Sequence, residues 1–276
     1  MKDEAEQYWS LVALEANFRE LRLEKWKKVA RNWLADYADK RARDFILKTV
    51  DEVVKLDRSA KVLDVGCGPG KWSVMFAEKC SWVTAIDLSP NMILLAEKNA
   101  KKEGLVNLDF HVMDIASLGF PDGVYDLVNC VTVLQHVFDD YHWRKAIHGM
   151  ARVCKKDGYV LLFEIAPNFV IRRRTPNLCI RTIQQYANEF KKASMHLAYW
   201  RAVDLSLPIT YFGLKNYAAS FNRRVYYFMS RRKFYPSFLS FLSFASAALA
   251  KTIDYKLAAT PLSYLSFGRI MLFKKD

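Results

Sequence analysis

Glycine and proline are scarce in this chain, with 10 and 8 among 276 residues. That scarcity excludes collagen-like and low-complexity architectures and leaves long stretches open to helix and strand. The five cysteines, Cys67, Cys80, Cys130, Cys154 and Cys179, are odd in number and form no C-x-x-C pair. They argue against a disulfide framework or a zinc site and point to a reducing, cytoplasmic compartment. The opening MKDEAEQ is acidic, unlike a secretory leader. Acidic residues run out in the second half: residues 165–276 hold 4 Asp and Glu against 18 Lys and Arg, whereas residues 1–164 hold 25 against 24. A neutral first half is thus joined to a half carrying +14.

The few glycines are concentrated where they say most. In KVLDVGCGPG (61–70) an apolar strand runs straight into Gly66, Gly68 and Gly70. Glycine accepts positive φ and lets a ligand lie against the main chain, and the helix that follows offers unpaired N–H groups. A dinucleotide loop needs G-x-G-x-x-G, yet Lys71 stands where its third glycine belongs. Asp64, inside the strand end, would also repel a pyrophosphate. A cationic cofactor without phosphate fits better.

Further along, SWVTAIDLSPNM carries an apolar strand to Asp87, placed so that a carboxylate faces the crevice where open α/β sheets bind ligands. Ser89 and Pro90 read as the cap and first turn of a helix that ends at Gly104. Asp114 follows a third strand, LDFHVM. Residues 125–131 (YDLVNCV) read as a fourth, central strand with Asn129, Cys130 and Val131 near its end. Cys130 reads as a buried thiol acting as a small hydrophobe. Neither N-P-P-Y nor D-P-P-Y, the grip for exocyclic amines of nucleic-acid bases, occurs anywhere. In VLQHVFDDYHW (133–143) His136 is the candidate general base, because imidazole titrates in the useful range. The group His136, Asp139, Asp140 and His142 is discounted as a metal site, since hard cations want oxygen ligands that this short run turns to solvent. Glu164, ending a fifth strand, is a second candidate acceptor contact or base, with strand-end solvation the favoured account.

Four blocks in order, LDVGCGPG (63–70), TAIDLSPNM (84–92), HVMDIASLGFPDGVYDLVNC (111–130) and ARVCKKDGYVLLFEIAP (151–167), resemble the class I S-adenosylmethionine-dependent methyltransferases of the type 11 branch. The resemblance implies a doubly wound, mostly parallel seven-stranded sheet with helical caps. It implies S-adenosyl-L-methionine as cofactor, held through Asp64, Gly66, Cys67, Gly68, Gly70, Asp87, Leu88, Asp114, Ile115, Asn129 and Val131. Asp87 would accept from the ribose hydroxyls and Asp114 from the adenine amino group, while Ile115 offers a backbone N–H. A Gln-His pair such as Gln135-His136 commonly faces the acceptor in such enzymes.

The organisation expected is a helical lid over 1–56, a cofactor core over 57–167 and a basic cap with the last two strands over 168–276. Residues 3–31 and 41–56 read as amphipathic helices, Arg224–Met229 as a sixth strand and GRIMLFK (268–274) as a final antiparallel strand. Arg172–Arg174, Arg223-Arg224 and Arg231-Arg232-Lys233 are interleaved with aromatics such as Tyr199, Trp200 and Tyr226. Such a surface suits an anionic partner. The apolar 237–260 segment, rich in serine and preceded by Pro236, is a poor membrane span. Methyl transfer to a small-molecule, glycan or lipid-linked hydroxyl or amine is expected, with peripheral contact at an anionic membrane face. RNA methylation, and a silent cofactor-binding subunit, are the alternatives. No motif speaks to oligomeric state.

Overall fold

The computed structural model describes Ser10 and residues 32–168, 174–175, 178–204 and 268–276. Its frame is one seven-stranded sheet. In chain order the strands are β1 (Lys61–Val65), β2 (Trp82–Asp87), β3 (Leu108–Val112), β4 (Tyr125–Val131), β5 (Cys154–Ile165), β8 (Met195–Asp204) and β9 (Gly268–Lys275). Two short strands, β6 (Arg174–Thr175) and β7 (Leu178–Cys179), pair apart from it. Across the sheet the order is β3-β2-β1-β4-β5-β9-β8, with β1 to β5 parallel and β9 antiparallel to both neighbours.

Among the described residues, the α-helices on the faces are α1 (Asn32–Thr49), α2 (Lys71–Ala77), α3 (Pro90–Lys102), α4 (Asp140–Val153) and α5 (Ile183–Lys192). Their ends are set by the residues the sequence supplies. Ser89 caps α3 by accepting from Met92 N–H, Pro90 sits in the first turn, and Gly104 turns out at φ 68°. Asp139 caps α4, and Thr182 and Gln185 form a reciprocal capping box on α5.

The strand period of two divides the core. Leu63, Val65, Val128, Cys130, Val160, Leu162, Met271 and Phe273 face one side, where α4 and α5 bring Trp143, Ile147, Tyr186 and Phe190. Val62, Leu127, Leu161, Ile270 and Leu272 face the other, against Phe45 and Ile46 of α1 and Trp72 and Phe76 of α2. Strands buried on both faces read as continuous apolar runs, as β5 does over YVLLF (159–163), whereas β1 and β4 are interrupted by the buried polar residues Asp64 and Asn129. Truncating one such residue, Leu161 for example, is expected to cost about 2–5 kcal/mol.

Two expectations change here. The helix expected over 41–56 begins at Asn32, continues as a π-helical turn at Val50–Val54, and packs on the sheet face as an ordinary core helix. The stretch 195–204, given no strand in the sequence reading, is the edge strand β8; Tyr199 and Trp200 pack against the two cores rather than forming an open basic-aromatic surface. The final strand lies antiparallel, as expected. The helix over 3–31 apart from Ser10, the strand at 224–229, the 237–260 segment and the clusters at 223–224 and 231–233 lie outside the described residues.

Candidate active site

The strand order reverses between the parallel β1 and β4, with β2 and β3 on one side and β5 on the other, so the crevice of a doubly wound sheet opens at the carboxyl ends of β1 and β4. The 66–70 loop stands there. Gly66, Gly68 and Gly70 all hold positive φ, at 67°, 53° and 81°. A Cβ on Gly70 would press on Ala96 of α3, and one on Gly66 would collide with Val133. A Cβ on Gly68 would meet nothing within 4 Å. Gly66 and Gly70 are thus required by packing. Gly68 presents bare backbone to open space.

Asp87 closes the loop from β2. Its Oδ2 accepts from Gly68 N–H at 2.9 Å and its Oδ1 from Ser89 N–H at 2.9 Å. Burial raises its pKa while those backbone donors pull it back down. Each oxygen keeps a second lone pair for a ligand hydroxyl. The neighbouring Leu88 is half-buried, and Cys67 is tied in by its N–H to Ile86 O at 2.9 Å. Its thiol is buried and pushed far above the ordinary value by burial, then by Asp64 and Asp87, which excludes a reactive thiolate. Ser10 Oγ lies 3.0 Å from the Oγ of Ser89, the cap of α3.

Asp64 is buried beneath the loop. It is 1% exposed, accepting from Ser73 Oγ at 2.6 Å and from Asn129 Nδ2 at 2.8 Å. Burial pushes its pKa up to about 6 against those two hydrogen bonds. It ties β1 to α2 and β4 beneath the loop. Asn129, its cross-strand partner, is fully buried, and its Oδ1 has no hydrogen-bond partner among the described residues. Asp114 caps a short 3-10 turn, Ile115–Ser117, accepting from Ala116 N–H at 2.9 Å, and Ile115 and Val131 are half-buried beside the crevice.

After β4 the chain turns through Thr132, a β-branched residue at φ 58°, into a 3-10 turn at Leu134–His136. Glu164 secures this turn, contrary to the solvated strand end expected for it. It is 1% exposed, its Oε1 accepting from Val133 N–H and Leu134 N–H, each at 2.8 Å, and its Oε2 from Gln135 N–H at 3.1 Å. Burial pushes its pKa up to about 7 against the three N–H donors and the nearby Arg181. Arg181, itself buried, donates to Val137 O at 2.9 Å and Asp140 Oδ1 at 2.8 Å and lies over the Trp143 ring. His136 is therefore carried on a turn held through its N–H groups by the buried Glu164 carboxyl group and through its exit by the buried Arg181 guanidinium. Asp139 and His142 serve α4: Asp139 Oδ2 accepts from His142 N–H at 2.8 Å and meets His142 Nδ1. Cys130 is fully buried, as expected.

Sequence reasoning named Glu164 without its role in holding the turn, and missed Arg181. No local pattern marks them, because their partners lie about 30 and 45 residues away in the chain.

Comparison with known proteins agrees with this architecture. Residues 62–158 match the family model described as a methyltransferase domain. A ubiquinone biosynthesis O-methyltransferase of Xanthomonas oryzae pv. oryzae is 34% identical over 150 residues, covering 53% of this chain and 61% of the relative. This chain thus spans less than two thirds of that relative's length. Among solved structures, magnesium protoporphyrin IX methyltransferase of Synechocystis, with bound S-adenosylhomocysteine, has a TM-score of 0.62 at 15% identity over 100% of both chains. The cyclase SpnF has a TM-score of 0.58 at 23% identity over 84% of this chain and 80% of that one. At those identities the likeness is one of fold, and fold alone leaves the reaction open. Residues 62–158 are therefore similar to the methyltransferase-domain family, and the chain shares the seven-stranded fold of these solved structures.

Proposed function

We propose that this protein binds S-adenosyl-L-methionine at the 66–70 loop and transfers its methyl group to a small-molecule or lipid-linked hydroxyl. The observation that carries the reading is the pairing of Gly68 and Asp87. A strand-end carboxylate is fixed by the backbone of a glycine whose open side has room for a ligand. The residues present fit the cofactor. Asp87 has lone pairs for two ribose hydroxyls, Asp114 has a carboxylate for the adenine amino group, and the unmet Asn129 Oδ1 is an acceptor for an ammonium N–H.

The cofactor when bound supplies an electrophilic methyl on sulfur. The protein then has to align the acceptor for in-line displacement and take up its proton. The glycine loop and Asp87 hold one reactant. The turn carrying His136 stands across the crevice, and its imidazole removes the hydroxyl proton. The relatives named as O-methyltransferases favour oxygen over nitrogen as the target. The basic half read from sequence favours an acceptor with an anionic group or one presented at an anionic membrane face. Among the described residues no helix is long and apolar enough to cross a membrane.

Methyl-labelled cofactor, offered with fractionated small molecules, lipid extracts and RNA, tests the acceptor class directly. Label transferred to a lipid or small-molecule oxygen supports the reading, and label found only in RNA or protein overturns it.

A further inference from the structure

Among the described residues, β3 stands at the edge of the sheet with β2 as its one strand neighbour. Natural edges are blunted with lysine, proline or a bulge, yet LDFHV (108–112) contains neither residue and pairs with β2 in unbroken register. The surroundings of this edge are apolar. Trp82, Leu94, Val106 and Val112 are four of the five exposed large apolar side chains among the described residues, Val106 at 88% and Val112 at 53%. Trp82 Nε1 donates to Asp109 Oδ1 of β3 at 2.9 Å, and Leu94 shares with Glu97 and Lys101 one stripe of α3. An open groove between α3 and β3 is lined by Glu97, Lys101, Val106, Leu108 and Phe110. The ladder decides which backbone groups face outward. Asn107 O accepts from Val83 N–H and Met113 N–H donates to Asp87 O, each at 3.0 Å, so the odd-numbered residues face β2. The N–H and C=O groups of Leu108, Phe110 and Val112 therefore point away from the sheet.

We propose that a second copy of this chain pairs with this edge, β3 against β3 and antiparallel, about a two-fold axis at Phe110. In that register Phe110 meets Phe110 of the second copy and Leu108 meets its Val112, and the outward backbone groups make these the hydrogen-bonded pairs. Asp109 then lies opposite His111 of the second copy in the closer, non-hydrogen-bonded pairing, and the axis repeats the contact with the roles exchanged. The strand is complementary to itself in charge. Within one chain Asp109 Oδ2 already meets His111 Nε2 at 2.8 Å, so pairing extends this contact into a row of alternating carboxylate and imidazole. Centring the axis on Asp109 would instead set two carboxylates face to face, and centring it on His111 would set two imidazoles together. On the α3 side, Val112 of the second copy comes to rest beside Leu108 at the groove. Such a contact closes on itself and covers the edge. It is independent of the cofactor and the acceptor.

Sedimentation equilibrium of the full chain over a wide concentration range tests the proposal. The expected wild-type species is a dimer of twice the 32.0 kDa chain mass. His111→Asp sets acid opposite acid at both symmetry-related contacts and should weaken association about tenfold. Adding Asp109→His to that variant exchanges the two side chains and should restore association toward wild type, as this register requires. Val112→Lys places a charge at an exposed position opposite Leu108 and should also weaken the dimer. Should His111→Asp fail to fold by circular dichroism, Val112→Lys decides in its place. A wild-type monomer at every concentration would overturn the proposal and leave the edge to a different protein. A dimer that both single variants leave intact would overturn it too, because the contact would then lie on another face.

Discussion

Val133 occupies the space that a side chain on Gly66 would need: a Cβ added at Gly66 would collide with both Cγ atoms of Val133. The glycine loop and the turn carrying His136 are therefore packed against each other. Val133 is fixed in turn by Glu164, which accepts its N–H. The two buried carboxylates divide the work. Asp64 on one face of the sheet holds α2 and β4 under the glycine loop, and Glu164 on the other holds the turn that closes onto it.

The two loop glycines should fail differently on substitution. Gly66→Ala combines a φ of 67° with the Val133 collision and is expected to cost about 2–4 kcal/mol of stability. Gly68→Ala meets only its φ of 53° and should cost about 1 kcal/mol, while filling the open side where the cofactor is proposed to lie. Urea unfolding beside calorimetry with S-adenosylhomocysteine checks this. Equal stability losses in the two variants would contradict the packing argument.

Glu164 should leave its mark on the pH dependence of stability. Its pKa in the folded protein is about 7, above the ordinary 4.5, so between those values the folded protein holds a proton that the unfolded chain has lost. The contribution of this group is full below about 4.5 and is lost as pH rises through 7. Asp64 acts in the same sense over 3.8 to about 6. Glu164→Gln cannot titrate, so wild type should lose up to about 3 kcal/mol relative to it between pH 4.5 and 7. Parallel urea midpoints for the two proteins across that range would contradict a protonated Glu164.

His136→Ala should leave cofactor affinity nearly unchanged and lower turnover about 10²-fold or more, as expected when a general base is lost. Once an acceptor is in hand, single-turnover rates decide it. Unchanged turnover would return His136 to a purely structural role on the 3-10 turn.

The basic half makes a prediction of its own from sequence. Membrane contact through clusters beside Phe238, Phe241 and Phe244 should leave an apolar share of binding that salt does not remove, whereas nucleic-acid binding falls steeply with salt. Sedimentation with anionic liposomes should persist in part at high salt and disappear when the three phenylalanines become serine. Tight, salt-sensitive RNA binding without liposome binding would reverse the order of acceptors.

What the sequence disclosed, it disclosed through local chemistry. Glycines at positive φ, the Ser89 cap, Asp87 at the end of an apolar strand and the final β9 strand all carry their signal within a few residues. What it concealed depends on distance. Glu164 looks like a solvated strand end until the backbone of residues 133–135 folds over it, and the hold of Asp64 on Ser73 and Asn129 shows only once α2 and β4 are in place. The β8 strand hid behind its aromatic and basic residues, because Tyr199 and Trp200 serve a packed surface as well as an exposed one.

The central claim is that the Gly68–Asp87 pair receives S-adenosylmethionine. Calorimetry of the purified chain with S-adenosylhomocysteine and with NAD, on wild type and Asp87→Ala, tests it most directly. The account predicts binding of S-adenosylhomocysteine that weakens by about 1–3 kcal/mol in Asp87→Ala, with no binding of NAD. Tight NAD binding with no response to S-adenosylhomocysteine would contradict it.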